Sequence, residues 1–127
     1  MRAVLNTMRL SPVSTCRVVR MVLESLVPLA RYQVRALPPL YSSGVRWALE
    51  PDGVEEFADP VTVFARKWGD CWMLSLWRIA ELRNAGEPAN PMITLVKERE
   101  DGSRLYHVRV RRGSGAVEDP SRILGMP

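Results

Sequence analysis

Two cysteines, Cys16 and Cys71, and a single histidine, His107, are all that this 127-residue chain offers of either type. Two thiols make no disulfide framework, and a lone bridge between them has nothing to support it. No further His or Cys clusters beside them, so zinc has no ligand set and no metal or cofactor is expected. A free thiol suits a reduced, cytoplasmic setting. Long apolar runs are also missing. The stretch Val18–Ala30 is broken by Arg20, Glu24 and Pro28, far short of the roughly 20 apolar residues that span a bilayer. A clean apolar centre with a small-residue cleavage site is absent too, so neither a signal peptide nor membrane attachment is expected. Charge of one sign is not concentrated. The net charge is +4, but the basic residues are scattered among acids, and only Arg109-Val110-Arg111-Arg112 is dense. Without interleaved aromatics there, the pattern argues against nucleic-acid binding.

What is present fits one soluble domain. The apolar fraction is 46% and the charged fraction 25%, enough for a single core in a chain of this length. Residues 1–58 read as a helical and loop scaffold, and residues 59–127 as the core of the domain. Ser11-Pro12 is a helix start, and Val18, Val19, Val22, Leu23, Leu26 and Val27 recur at helical spacing. That helix runs from about 12 to 27, and Pro28 either kinks it or begins a further turn to about Arg35. Pro38 to Gly44 is an extended loop, Val45–Leu49 a short strand or edge segment, and Pro51-Asp52-Gly53 a turn. Asp59-Pro60 caps a helix with Val61, Phe64 and Ala65 on its apolar side, ending near Lys67; Gly69 permits a positive φ beyond it. From Cys71 to about Ala85 apolar residues occupy most of the circumference, so this helix is the buried centre, with Trp72 and Trp77 in the core. Gly86 is its C-cap and Pro88 forbids continuation. Met92–Lys97, an Asp101-Gly102 turn, Leu105–Arg111, a glycine turn and Ala116–Glu118 then make an antiparallel meander. The fold class is α+β: N-terminal helices and a buried central helix packed on a small antiparallel sheet.

Three residues carry candidate chemistry. Cys71 stands at a helix start, where unsatisfied N–H groups favour a thiolate and can donate to an oxyanion; alternatively it is a small apolar filler, as Cys16 is expected to be. His107 alternates with Tyr106 and Val108, so it shares a face with Arg109 and Arg111, pointing either to solvent or to a cleft with Cys71. It is the only histidine available as a base. Asp119 ends the adjacent strand, where it either orients His107 or caps the Pro120-Ser121-Arg122 turn. Glu118 faces the other way and is the weaker candidate.

Gly69-Asp70-Cys71 at the head of an apolar helix that ends Asn84-Ala85-Gly86-Glu87-Pro88-Ala89, followed by Tyr106-His107-Val108 and Glu118-Asp119-Pro120-Ser121, resembles the transglutaminase-like cysteine peptidase superfamily. The likeness spans Asp59 to Met126. More narrowly, Pro39-Leu40-Tyr41-Ser42-Ser43-Gly44-Val45 and the ending Glu118 to Met126 look like small transglutaminase-like proteins of tailed bacteriophages and prophages. Two departures stand out: Trp72-Met73 follows the cysteine where relatives often carry acidic residues, and the usual upstream polar donor of the oxyanion hole has no clear match. The resemblance implies a papain/transglutaminase-like fold and a Cys71–His107–Asp119 triad cleaving or transferring a peptide or isopeptide amide. It places Trp68, Gly69, Asp70 and Trp72 around the substrate and oxyanion. It also implies a phage-encoded protein in the host cytoplasm or in the particle, with a peptide or protein substrate and phage structural proteins as partners. The competing reading is a structural or assembly module that keeps the fold without the catalysis.

Overall fold

The computed structural model describes residues 2–4, 15–49, 56–98, 100 and 104–127, the side chains of residues 2–4, 15, 56, 57 and 104 excepted. In chain order the elements are strand β1 (Arg2–Val4), helix α1 (Thr15–Val34), a 3-10 turn (Leu40–Ser42), strands β2 (Arg46–Trp47) and β3 (Glu56–Ala58), helix α2 (Pro60–Arg66), strand β4 (Trp68–Gly69), helix α3 (Cys71–Asn84), strands β5 (Asn90–Glu98), β6 (Arg104–Arg111) and β7 (Val117–Glu118), and helix α4 (Pro120–Ile123). The class is α+β, as the patterning predicts. The expected turns at Pro51-Asp52-Gly53 and Asp101-Gly102, and the helix start at Ser11-Pro12, lie outside the described residues.

Helix α3 is the centre. Met73, Leu74, Leu76, Trp77, Ile79 and Ala80 are essentially inaccessible and Trp72 is nearly so. Each large apolar side chain buried this way contributes about 1.5–3 kcal/mol. The helix begins at an Asp70 N-cap whose carboxylate accepts the amides of Trp72 and Met73. It ends in a double closure: the Gly86 N–H donates to the Arg83 carbonyl at 3.0 Å and the Glu87 N–H to the Leu82 carbonyl at 2.9 Å. Gly86 adopts φ +86° there, a left-handed conformation that glycine takes without steric cost.

Helix α1 packs on α3 through Val19, Leu23, Leu26, Val27, Ala30 and Val34. It does not stop at Pro28 but runs unbroken to Val34. Pro28 is exposed, so the carbonyl whose partner it removes can turn to water, while the apolar stripe continues on the buried side. In α2 the inward face is Pro60 and Val63, with Phe64 edge-on to Trp77. Val61 and Ala65, expected on that face, are exposed. The positive φ expected at Gly69 belongs instead to Lys67, at 68°. Gly69 is required for another reason: a Cβ there would stand 3.3 Å from Leu74 Cδ2, Met73 Cβ and Val63 Cγ1.

The three-stranded sheet has the order β5-β6-β7, antiparallel throughout, with Ile93 opposite Val108, Thr94 opposite His107 and Val110 opposite Glu118. Val108 and Val110 are fully buried in the core that α3 fills. Two smaller pairings were not foreseen: β1 with β3, antiparallel, and β2 with β4, parallel. The second secures the approach to α3, since the Ala48 N–H donates to the Gly69 carbonyl at 3.0 Å and the Arg46 N–H to the Lys67 carbonyl at 3.0 Å.

A polar network fastens the loop before β2 to the end of the sheet. Glu118 accepts from the Tyr41 hydroxyl, from Arg78 Nε at 2.6 Å and from an Arg112 terminal nitrogen at 2.8 Å. Glu81 accepts the Leu40 amide at 2.8 Å and Trp77 Nε1 at 3.1 Å. Glu118, set aside as a weaker triad candidate, is thus a structural anchor on the α3 side of the strand.

Candidate active site

Asp119 divides its carboxylate between two tasks. Oδ1 accepts the Arg122 amide at 3.4 Å and caps α4, while Oδ2 lies 2.8 Å from His107 Nε2. The two alternatives left open by the sequence, helix cap and histidine partner, therefore hold together. The pairing follows from register. Val110 stands opposite Glu118, so Arg109 and His107 share the sheet face onto which Asp119 projects. Both partners retain 18% side-chain exposure, so the pair is held but open to a ligand. A carboxylate accepts, which assigns the proton to Nε2 and leaves Nδ1 as the nitrogen with a free lone pair.

Cys71 reaches the same strand from its edge. Its sulfur lies 3.9 Å from the Tyr106 carbonyl, and the Val108 amide points at it. One turn further along α3, the buried Ser75 hydroxyl donates to the Val108 carbonyl at 3.0 Å. Both backbone groups of Val108 are thus taken by α3, along the edge of β6 that the short β7 leaves uncovered. The sulfur sits against the backbone on either side of His107. The thiol's partner is the Tyr106 carbonyl, and no hydrogen bond joins it to the imidazole. Ser75 and Tyr106, which position the thiol, carry no signal in the sequence that marks them for this.

The electrostatics depart from the helix-start expectation. Burial pushes the Cys71 thiol up to about 12, with the neighbouring Asp70 carboxylate adding to it; the Val108 and Trp72 amides oppose this only in part. The neutral thiol is the resting form, because desolvation outweighs the partial charge of the helix end. Nor are the first-turn amides free. Asp70 Oδ1 takes the Trp72 amide at 3.1 Å and the Met73 amide at 3.3 Å. The Cys71 amide is the one left without an acceptor among the described residues. Of the four residues expected around the substrate, Asp70 is a cap, Gly69 is buried packing, Trp72 is largely core, and Trp68 is half-buried beneath the Arg66 guanidinium, 3.5 Å from its ring centre.

Among the described residues no group of His, Cys, Asp and Glu is arranged to hold a metal, and no helix is long and apolar enough to cross a membrane. Comparison with protein-family models, with curated proteins and with solved structures returns no match.

Proposed function

We propose that this chain is a cysteine-dependent acyl transferase of transglutaminase-like type, acting as a peptidase or amidase on a peptide or isopeptide bond. The observation that supports this most is the His107 Nε2–Asp119 Oδ2 contact of 2.8 Å on the strand whose flanking backbone holds the Cys71 sulfur. A base with an orienting carboxylate beside a thiol at a helix start is the set that nucleophilic acyl transfer needs.

In the proposed reaction the resting thiol is neutral, so attack requires a general base. The Cys71 side chain turns from the Tyr106 carbonyl toward His107 Nδ1, a contact of the kind that tightens only once substrate is bound. Nδ1 takes the thiol proton as sulfur adds to the amide carbonyl, and the Cys71 amide donates to the oxyanion. Collapse expels the amine, which receives the proton from His107 and leaves a thioester on Cys71. Water, deprotonated by the same Nδ1, resolves the thioester to a carboxylic acid and restores the thiol. An amine in place of water would give a new amide. Hydrolysis is preferred here because the His107–Asp119 pair is partly open to solvent, and no described element closes over it to exclude water.

A second reading, a catalytically silent assembly module on the same fold, draws on one specific observation: the half-buried thiol faces a backbone carbonyl, its pKa is pushed up, and two first-turn amides are already occupied by Asp70. Screening the purified protein against Cys71→Ser on peptide, isopeptide and cell-wall substrates separates the two. Release of an amine that Cys71→Ser abolishes is expected of the enzyme. Equal product from both proteins on every substrate would leave only the module.

A further inference from the structure

Half-buried arginines in this protein are satisfied, Arg66 by donating its Nε to the Trp68 carbonyl at 3.0 Å and by lying over the Trp68 ring, and three others by carboxylates. Arg78 pairs with Glu118 at 2.6 Å, Arg83 with Glu24 at 2.8 Å and Arg112 with Glu118 at 2.8 Å. Arg109 breaks the pattern. It is half-buried, its Nε is buried without a hydrogen-bond acceptor, and its one hydrogen bond among the described residues runs from a terminal nitrogen to Thr94 Oγ1 at 3.4 Å. No carboxylate of a described residue pairs with it. Asp119, just past the end of the neighbouring strand, has its oxygens committed to His107 and to the α4 cap. Withdrawing a guanidinium from water without a partner for its Nε is costly, and Arg78, Arg83 and Arg112 show how carboxylates meet that cost elsewhere in this fold.

The position of Arg109 says what the missing anion belongs to. It lies two residues from His107 on the same strand, hence on the same face and about 7 Å away. Arg111 continues the row, exposed, with Met92 Sδ 3.7 Å away as its neighbour. The positive row thus begins next to the imidazole and runs away from it along a sheet face that no described element covers.

We propose that Arg109, backed by Arg111, is a carboxylate-binding subsite, and that the substrate is an acidic peptide whose scissile amide is flanked by a glutamate- or aspartate-like side chain. This rests on the thiol acyl-transfer reading and narrows it to anionic amides. A guanidinium with an unused Nε–H offers a carboxylate two charge-assisted hydrogen bonds in fork geometry. It holds the substrate on the His107 face, while Cys71 approaches from the strand edge.

Two alkylating probes of equal length test this in a Cys16→Ser background: chloroacetyl-glutamate α-amide and chloroacetyl-glutaminamide. In each, the Cys71 sulfur displaces chloride to form a thioether and the thiol proton passes to the base. Six bonds separate the reacting carbon from the side-chain carboxyl carbon, a reach of about 7 Å. The rate of Cys71 modification, read by intact mass, should favour the glutamate probe by at least ~10-fold at low salt and less so at high salt. Arg109→Gln should bring the ratio to about one, Arg109→Lys should retain part of it, and Arg20→Gln, an exposed change on α1, should leave it intact. A wild-type ratio of one, with both rates falling in His107→Ala, overturns the anion subsite and spares the enzyme reading. Rates with both probes that ignore His107→Ala overturn the enzyme reading itself.

Discussion

Asp70 offers the sharpest separation of structure from reactivity. Its carboxylate accepts two amides at the start of α3, at 3.1 and 3.3 Å, and its charge is the second cause, after burial, of the raised Cys71 thiol. Asp70→Ala removes cap and charge together, whereas Asp70→Asn keeps an oxygen acceptor and removes only the charge. An N-cap is worth about 1 kcal/mol, with a range of roughly 0.5–2. The cap on the fold's central helix should sit in the upper half, so Asp70→Ala should lose about 1–2 kcal/mol and Asp70→Asn no more than a few tenths. Reactivity should follow the charge. Both variants lower the thiol from about 12, and below that value each unit of lowering multiplies the thiolate fraction about tenfold. Burial is the larger cause, so the thiol should remain above an ordinary cysteine in both. Urea unfolding measures the stability, and stopped-flow reaction of Cys71 with an aromatic disulfide from pH 7 to 11, in a Cys16→Ser background, measures the reactivity. An Asp70→Ala protein as stable as wild type, or an Asp70→Asn thiol no more reactive, would refute the reasoning.

Further expectations follow from the same contacts. Asp119→Asn keeps an α4 cap acceptor, so it should change stability by less than about 1 kcal/mol while slowing acyl transfer at least ~100-fold through the wrong imidazole tautomer; equal activity would show that His107 needs no orientation. Gly69→Ala crowds three buried atoms at 3.3 Å and should cost about 1–3 kcal/mol by calorimetry, as overpacking does; a neutral result would mean that the neighbours yield. Glu118→Gln weakens the charge-assisted bonds to Arg78 and Arg112 and should cost about 2 kcal/mol in urea unfolding; an unchanged midpoint would make that network ornamental. Acid should weaken the fold through the same glutamates. Burial raises Glu118, but the Arg78 hydrogen bond and charge bring it below the ordinary range, and the Arg112 hydrogen bond holds Glu87 down to about 2. A depressed carboxylate stabilises the folded state above its unfolded value near 4.5 and loses that contribution as pH falls toward 2. The loss in a pH series of melting temperatures should therefore fall below about pH 5 and be reduced in Glu118→Gln.

The parts of this molecule readable from sequence are those whose physics is local. Asp59-Pro60 and Asp119-Pro120 are caps that act within three residues, and the turn at Gly86 closes α3, with the Gly86 amide on Arg83 and the Glu87 amide on Leu82. The alternation that separates His107 and Arg109 from Val108 and Val110 is equally local, and the burial of the two valines bears it out. What escaped depends on contacts distant in sequence. Tyr41 meets Glu118, β2 meets β4, and Ser75 and Cys71 claim the backbone of β6. The thiol's state escaped because a helix start and burial act in opposite directions, and only the packed structure shows that burial prevails. The roles of Gly69 and Lys67 were exchanged for a related reason. A glycine in a turn suggests a positive φ, yet here it is the close approach of α2 and α3 that excludes a side chain.

Cys71 as an acyl-transfer nucleophile served by His107 is tested most directly by trapping the acyl-enzyme. Brief incubation with a glutamyl thioester, acid quench and intact-mass measurement should show one acyl group, mapped by peptide digestion to Cys71. The adduct should be absent in Cys71→Ser, form at least ~100-fold more slowly in His107→Ala, and disappear with hydrolysis on longer incubation. An adduct that forms equally fast without His107, or settles on Cys16 and never on Cys71, would contradict the account.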